Sequence, residues 1–299
     1  MNNKLLIYLF LILIIIIILN NITNTETFIT NNETFISNND NLQKIAIVSM
    51  IMKPVDLSIW LNHHRSLGVS LFFIRLEETP ELIDYLKKQE DVILEMGESD
   101  KNGNNYLTQN HRQDTLVNNS INKCIELKYD WIFHLDSDEL LDGNFLFLKN
   151  LSNNIKCLKL TNAEAIYSEN EPTCFSSSKF LKCISGSTCR SYSNGKAGGR
   201  PENGLSSFGP HTFTFNGIYD NNNTYNVPFE NLHILHFDSC SFEKWVNKFK
   251  NYSINNTSDI PFTYYNESMN IINNAFNTYK KYTMYDTSNI NNELLYIKN

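Results

Sequence analysis

Tyr129-Asp130-Trp131-Ile132-Phe133-His134-Leu135-Asp136-Ser137-Asp138-Glu139-Leu140 carries an apolar run straight into three carboxylates. Trp131, Ile132, Phe133 and Leu135 supply the surface of a buried strand, and Asp136 and Asp138 stand where that strand ends. In open α/β sheets, ligands bind just outside the carboxyl ends of the strands. Two carboxylates one residue apart repel each other unless a cation lies between them. A hard divalent ion resolves that conflict, and magnesium-type sites use one or two carboxylates together with substrate phosphates. Asp136-Ser137-Asp138 is therefore a candidate metal–diphosphate site, although an isolated Asp-x-Asp is more often a solvated turn. Two sharper rivals fail on particular residues. A calcium loop needs Asp or Asn and then Gly where Leu140 and Leu141 stand. Leu140 also breaks the Asp-x-Asp-x-Thr/Val pattern of phosphatases that use an aspartyl nucleophile.

Upstream of the motif, strands alternate with helices. Residues 45–52 read as a buried strand. Pro54 and Asp56 then open a helix containing Trp60, Leu61 and Leu67, which Gly68 stops. Residues 69–76 form a second strand. Thr79-Pro80 predicts the cap and first turn of a helix reaching Gln89, and Val92-Ile93-Leu94 is a short third strand. Thr108 is placed to cap a helix to Lys128, with Leu116, Val117, Ile121, Cys124 and Ile125 as its apolar stripe. This alternation predicts an α/β domain with a mostly parallel, Rossmann-like central sheet and the acidic pair at the end of its fourth strand.

Beyond Asp142-Gly143 the alternation weakens. Residues 155–160, 211–215 and 232–237 read as strands, and 170–210 as a long loop region. That region holds Asn194-Gly195-Lys196-Ala197-Gly198-Gly199-Arg200, which lacks the Gly-x₄-Gly-Lys-Ser/Thr of a P-loop. A basic, glycine-rich loop in an acidic protein can approach a phosphate with backbone N–H groups and with Lys196 or Arg200; a mobile surface loop is the alternative. His233 and His236 are an odd number of residues apart, so only one of them can face the acidic pair. Residues 241–251 read as an amphipathic helix capped by Ser241.

The chain has 299 residues and a formal net charge of −7, which argues against nucleic acid as a partner. Leu5–Leu19 is uniformly apolar and no small-x-small cleavage site follows it, so residues 1–22 are expected to be an uncleaved signal anchor rather than a cleaved signal. Lys4 and the amino group place the N-terminus in the cytoplasm. Residues 23–43, rich in Asn and Thr, read as a flexible stem. One globular domain over 44–250 follows, then a C-terminal extension over 251–299, packed on the domain or partly disordered. The six cysteines, at 124, 157, 174, 183, 189 and 240, permit three disulfides. Cys174, Cys183 and Cys189 are expected to staple a loop, since their spacing does not suit zinc.

The ordered series Trp60-Leu61-Asn62-His63-His64, Asp130-Trp131, Asp136-Ser137-Asp138-Glu139-Leu140, Asn194-Gly195-Lys196, Gly209-Pro210-His211 and His236-Phe237 through Lys244-Trp245 resembles the glycosyltransferase-A fold, in its family-2-like and family-92-like group. The resemblance spans roughly residues 45–250. It implies a nucleotide-sugar donor, UDP-linked, with Mn²⁺ or Mg²⁺, and transfer that inverts the anomeric centre. Carried over by position, Asp136 contacts the ribose and the metal, Asp138 is the main metal ligand, and His236 completes the coordination. Glu139 matches the acidic residue after the motif. Arg112, Gln113 and Asp114 lie on the helix where nucleotide contacts are expected, a solvated helix face being the alternative. Lys53-Pro54 stands where relatives carry Asn-Glu, so Glu77 or Glu78 is expected to take over the nucleobase contact.

Lys196 and Arg200 would offset charge growing on a diphosphate, and Glu164, Glu202, His211 and Asp238 are candidate acceptor bases. The catalytic set expected is Asp136, Asp138, Glu202 and His211. The resulting expectation is a membrane-anchored, single-pass type II glycosyltransferase whose catalytic domain is luminal, in an endoplasmic reticulum or Golgi-type compartment, or extracytoplasmic, acting on a glycan or glycoprotein acceptor. A non-enzymatic carbohydrate-binding protein and a metal-dependent nucleotidyl or phosphoryl transferase are the alternatives.

Overall fold

The computed structural model describes residues 43–99, 105–167, 173–183, 192–238, 240, 243–246, 248 and 294–298. The expected anchor over 1–22 and nearly all of the stem lie outside the described residues. Among the described residues no helix is long and apolar enough to cross a membrane.

The first half alternates as its sequence pattern requires. Strand β1 (Ile45–Met52) leads into helix α1 (Leu57–Ser66), whose cap Asp56 accepts a hydrogen bond from the Ile59 N–H. β2 (Val69–Glu77) follows. Thr79 does not cap the expected helix. Its hydroxyl accepts from the Lys53 N–H at 2.8 Å and donates to the Glu77 carbonyl at 2.8 Å. Only a 3₁₀ turn (Pro80–Leu82) and one helical turn, α2 (Ile83–Leu86), form there. β3 (Val92–Gly97) and the long α3 (Asn105–Leu127) precede β4 (Trp131–His134). Thr108 therefore lies inside α3 rather than at its cap.

The second half is short strands: β5 (Glu139–Gly143), β6 (Cys157–Leu160), β7 (Asn162–Ala165), β8 (Lys179–Lys182), β9 (Lys196–Gly199), β10 (Leu205–Ser207), β11 (Phe213–Phe215), β12 (Thr224–Asn226), β13 (Leu232–His236) and β14 (Leu295–Ile297). A seven-stranded sheet runs β12-β6-β9-β4-β1-β2-β3, and a five-stranded sheet runs β14-β8-β7-β13-β5. β1, β2, β3 and β4 are mutually parallel, while β9 enters antiparallel between β4 and β6. The fold is thus α/β with a largely parallel central sheet. Of the helix expected over 241–251, residues 243–246 and 248 are described, and all are helical.

Side chains alternate across the large sheet. Ile45, Ile47, Trp131, Phe133 and Leu135 pack with α1 in one apolar layer. Ala46, Val48 and Ile132 pack with Leu116, Val117, Ile121 and Cys124 of α3 in the other. Burying both faces is what the near-continuous apolar runs of β1 and β2 encode.

The glycine-rich stretch expected as a loop near phosphate is instead strand β9, buried along its whole length. A Cβ on Gly198 would sit 2.6 Å from the Phe133 ring. Gly198 is there because Phe133 of β4 lies against it, and Gly199 because Leu205 and Phe213 do.

Cys174 is bonded to Cys240, across 66 residues of sequence, and Cys183 is also disulfide-bonded. Cys124 and Cys157 are free and buried, so the three disulfides that six cysteines permit do not all form, and Cys174 reaches Cys240 rather than closing a loop with Cys183 or Cys189.

Candidate functional site

The two sheets exchange chain at the acidic motif. β4 ends at His134, the turn carries Asp136 and Asp138, and β5 begins at Glu139 in the second sheet. β5 is an edge strand, and α1 covers its open side. The Trp60 indole N–H donates to the Glu139 carbonyl at 2.7 Å, His63 Nε2 to the Leu141 carbonyl at 2.6 Å, and the Leu141 N–H donates to His64 Nε2 at 3.2 Å. His64 Nδ1 in turn donates to the Trp60 carbonyl, which makes His64 a neutral ring whose burial pushes its pKa down to about 3. The Trp60–His64 segment that contributed to the resemblance therefore fixes the strand that carries the acidic residues.

β13 pairs with β5 on one side and β7 on the other. Its last residue, His236, stands opposite both Glu139 and Glu164. His236 Nε2 lies 3.7 Å from Asp138 Oδ2, and Nδ1 lies 3.9 Å from Glu164 Oε1. Burial opposes a charged ring here, but the Asp138 and Glu164 carboxylates outweigh it and raise the pKa well above the usual histidine value. Burial likewise acts to raise the Asp138 carboxyl, and His236 overrides it and holds the group well below the ordinary range. Asp138, His236 and Asp238 each present a ligand atom within 4.8 Å of the others. Two carboxylates and an imidazole suit a divalent cation of the manganese kind. Asp238 also receives a contact from the Lys248 ammonium.

Asp136 has a different set of partners. Antiparallel pairing places Gly198 opposite Phe133, so Lys196 falls just past the end of β4. The Lys196 ammonium lies 2.5 Å from Asp136 Oδ2 and 3.4 Å from Glu139 Oε2, and the residue has no exposed surface. Burial works against its charge, but Asp136 and Glu139 raise its pKa above the ordinary lysine value. Gln113, one turn before the α3 residues that pack on the sheet, donates to Asp136 Oδ1 at 3.3 Å. Glu139 is held by the Asp136 N–H at 2.7 Å and by the Tyr192 hydroxyl. Burial, opposed by Lys196 and reinforced by Asp136, pushes its carboxyl up to about 7.

His211 donates from Nδ1 to the Gly195 carbonyl at 2.7 Å, and its ring lies 4.9 Å from that of Tyr192. Burial and then Lys196 push its pKa down to about 3, so the ring is neutral and Nε2 carries a lone pair.

The structure therefore brings Asp136, Asp138, Glu139, Gln113, Glu164, Lys196, His211, His236 and Asp238 to one edge. It does not bring Arg200 or Glu202 there. β9 runs away from that edge, and both residues follow its far end. Arg200 donates to the Ile155 and Leu151 carbonyls and lies 4.4 Å from the Trp131 ring centroid, and Glu202 pairs with Lys156 at 2.6 Å. Glu77 has both carboxylate oxygens on the Arg112 guanidinium, at 2.9 and 3.1 Å, and a further contact from Arg75 at 2.8 Å. Asp114 is used to hold Ser207 and Gly209. Neither acidic group is left open for a nucleobase, and Glu78 is exposed.

Three site residues escaped the sequence reading. His134 shares the face of Asp136 one pleat earlier, and that period-two relation was available as a signal. It is wholly buried and makes no well-formed hydrogen bond, and burial followed by Lys196 pushes its pKa down to about 4. Tyr192 lies in the cysteine-rich region and has no periodic neighbour that would announce it. Lys248 reaches Asp238 only through tertiary packing.

No family model and no curated relative matches this chain. Solved structures resemble parts of it. Rv0371c from Mycobacterium tuberculosis H37Rv is 10% identical, over 42% of this chain and 68% of that one, with a TM-score of 0.24. A Bacillus anthracis protein assigned as a glucose-1-phosphate thymidylyltransferase, solved with sucrose, is 10% identical over 42% of this chain and 56% of its own, with a TM-score of 0.26. A CMP:2-keto-3-deoxy-manno-octonic acid synthetase bound to CTP is 11% identical over 53% of this chain and 75% of its own, with a TM-score of 0.26. The chain thus spans little more than half the length of the Bacillus anthracis protein.

Proposed function

We propose that this chain is a metal-dependent glycosyltransferase of the glycosyltransferase-A type, moving a sugar from a nucleotide-sugar donor, UDP-linked, to a glycan or glycoprotein acceptor with inversion. The observation that carries this reading is the Asp138–His236–Asp238 set at the carboxyl edge of a parallel sheet, beside a buried lysine. Asp138, His236 and Asp238 would hold Mn²⁺ or Mg²⁺, which supplies charge to a departing diphosphate. Asp136 is oriented by Lys196 and Gln113, which leaves it suited to accept from a ribose hydroxyl. Lys196 adds fixed positive charge where the leaving group gains negative charge, and its burial makes that charge act through little water. His211 offers a neutral Nε2 to an acceptor hydroxyl. An incoming diphosphate counters the Lys196 charge that depresses this ring and makes it a better base. The N-terminal anchor and luminal placement belong to the same reading.

The test is a screen of nucleotide sugars with acceptors, read by nucleotide release and by mass change of the acceptor. Asp138→Ala is expected to abolish transfer while near-ultraviolet circular dichroism stays native. Full activity in that variant would sink the reading. A second reading, a carbohydrate-binding protein without transfer activity, draws on the Lys196–Asp136 pair, which already neutralises one of the two motif carboxylates. Absence of any thermal stabilisation by Mn²⁺ with UDP would favour it.

A further inference from the structure

The β5–β13 pair has a second end. His236 faces Glu139, but three residues earlier His233 faces Asp142, about 10 Å along the strand. There the structure has a cavity of about 470 Å³, lined by Asp142, Lys182, Phe229, Glu230, His233 and Tyr296. That volume is within the range of small-molecule sites. We propose that this cavity is a binding site for an uncharged sugar ring, separate from the Asp138 centre. The proposal stands whether or not the first centre transfers sugar.

The walls are prearranged. His233 Nδ1 donates to the Phe229 carbonyl at 2.8 Å, and the two rings stack with centroids 3.7 Å apart. Tyr296 meets both rings edge-on, at 4.9 and 5.3 Å, and its hydroxyl donates to Asp142 Oδ2 at 2.6 Å. These contacts fix an aromatic wall and orient a carboxylate. His233 is only 3% exposed, and its Nε2 lies 3.4 Å from Asp142 Oδ2, so the ring backs the carboxylate that faces the cavity.

The charges choose the ligand class. Asp142 and Glu230 would repel a phosphate or carboxylate. Lys182 in the wall, and Lys298 at 3.8 Å from Asp142, would repel an organic cation. A ligand with many hydroxyls can donate to the carboxylates and accept from Lys182, and its C–H face can pack beside Tyr296, since His233 stacks on Phe229 and the Lys182 ammonium lies over that ring.

The experiment is saturation-transfer difference NMR on the full chain with methyl glycosides of glucose, galactose, mannose and N-acetylglucosamine, with inorganic phosphate in parallel. At least one glycoside is expected to receive saturation. Glu230→Gln and Lys182→Ala, both at the cavity rim, are each expected to weaken its affinity about tenfold, as loss of a charge-assisted hydrogen bond does. Asp138→Asn is expected to leave that binding unchanged, which separates this site from the first. Binding of phosphate alone, no binding of any glycoside, or glycoside binding lost in Asp138→Asn but kept in Glu230→Gln would each overturn the proposal. Nucleotide release from sugar nucleotides, measured separately, reports on the first centre only.

Discussion

Lys196 Nζ lies 2.5 Å from Asp136 Oδ2 although Asp136 stands in the turn after β4 and Lys196 opens the antiparallel neighbour β9, 60 positions on in the chain. One buried ammonium thereby compensates Asp136 and, at 3.4 Å, Glu139. Removing it leaves two acidic groups facing each other at the end of β4. Lys196→Met is expected to cost about 1–3 kcal/mol, less than breaking a fully buried ion pair, because the Asp136 carboxylate left behind is partly exposed. Urea unfolding measures it. Adding Asp136→Asn to that variant is expected to recover part of the loss, because Asp136 is the carboxylate held ionised, whereas Glu139, already pushed up to about 7, takes up a proton once Lys196 is gone. A cost under about 1 kcal/mol, the range of exposed pairs, would mean that Lys196 is not the compensating charge.

A metal at Asp138, His236 and Asp238 must displace a proton from His236. That ring has a raised pKa, because Asp138 and Glu164 overcome the effect of burial. Below the raised value the proton occupies the ligand nitrogen, so Mn²⁺ affinity is expected to climb as pH rises and to level off above it. One displaced proton gives a slope approaching about tenfold per pH unit. Calorimetric titration with Mn²⁺ at several pH values from 6 to 9 checks this. A flat profile would place His236 outside the metal's reach, as would a profile unchanged in His236→Gln.

Gly195 sets the position of Lys196. It sits at φ +59, and a Cβ there would lie 1.7 Å from the Leu160 carbonyl oxygen. Gly195→Ala must push β9 away from β6, which carries the Gly195 carbonyl off His211 and the Lys196 ammonium off Asp136. Overpacking of this kind costs roughly 1–3 kcal/mol, on top of about 1–2 kcal/mol for the left-handed backbone. Gly209 has φ +74 and nothing within 4 Å of a Cβ, so Gly209→Ala incurs the backbone cost alone. Thermal unfolding of the two variants is expected to show Gly195→Ala clearly less stable than Gly209→Ala; equal losses would remove the steric argument.

The sequence makes legible what depends on local pattern. Trp131, Phe133 and Leu135 alternate with Ile132, His134 and Asp136, and that alternation alone places the acidic motif at a buried strand's end. The cap at Asp56 and the stripe of α3 are equally local. What escaped depends on distant partners. Lys196-Ala197-Gly198-Gly199 has no β-branched residue and reads as a loop; only the Phe133 ring against Gly198, and Leu205 and Phe213 against Gly199, explain its glycines. Thr79 looks like a helix cap until its hydroxyl is found on Lys53 and Glu77. Arg200 and Glu202 sit close in sequence to Lys196, yet a strand direction carries them to the opposite edge. The Cys174–Cys240 bond joins segments that no spacing rule connects.

Asp142 gives a test in acid. Burial favours its neutral form, but His233 and Tyr296 outweigh that and hold the carboxyl down at about 2, against an ordinary value of 3.8. A depressed folded-state pKa adds stability that is fully present above the unfolded value, here above about pH 4, and is lost as pH falls through about 2. The shift corresponds to roughly 2 kcal/mol at neutral pH. Asp142→Asn cannot titrate, so its stability deficit relative to the native sequence is expected to shrink by about 1 kcal/mol between pH 6 and pH 3. Urea unfolding of both proteins at the two pH values measures the change. A deficit that holds constant, or grows in acid, would show that His233 and Tyr296 do not stabilise the ionised carboxylate, and with it the orientation of that group toward the second cavity.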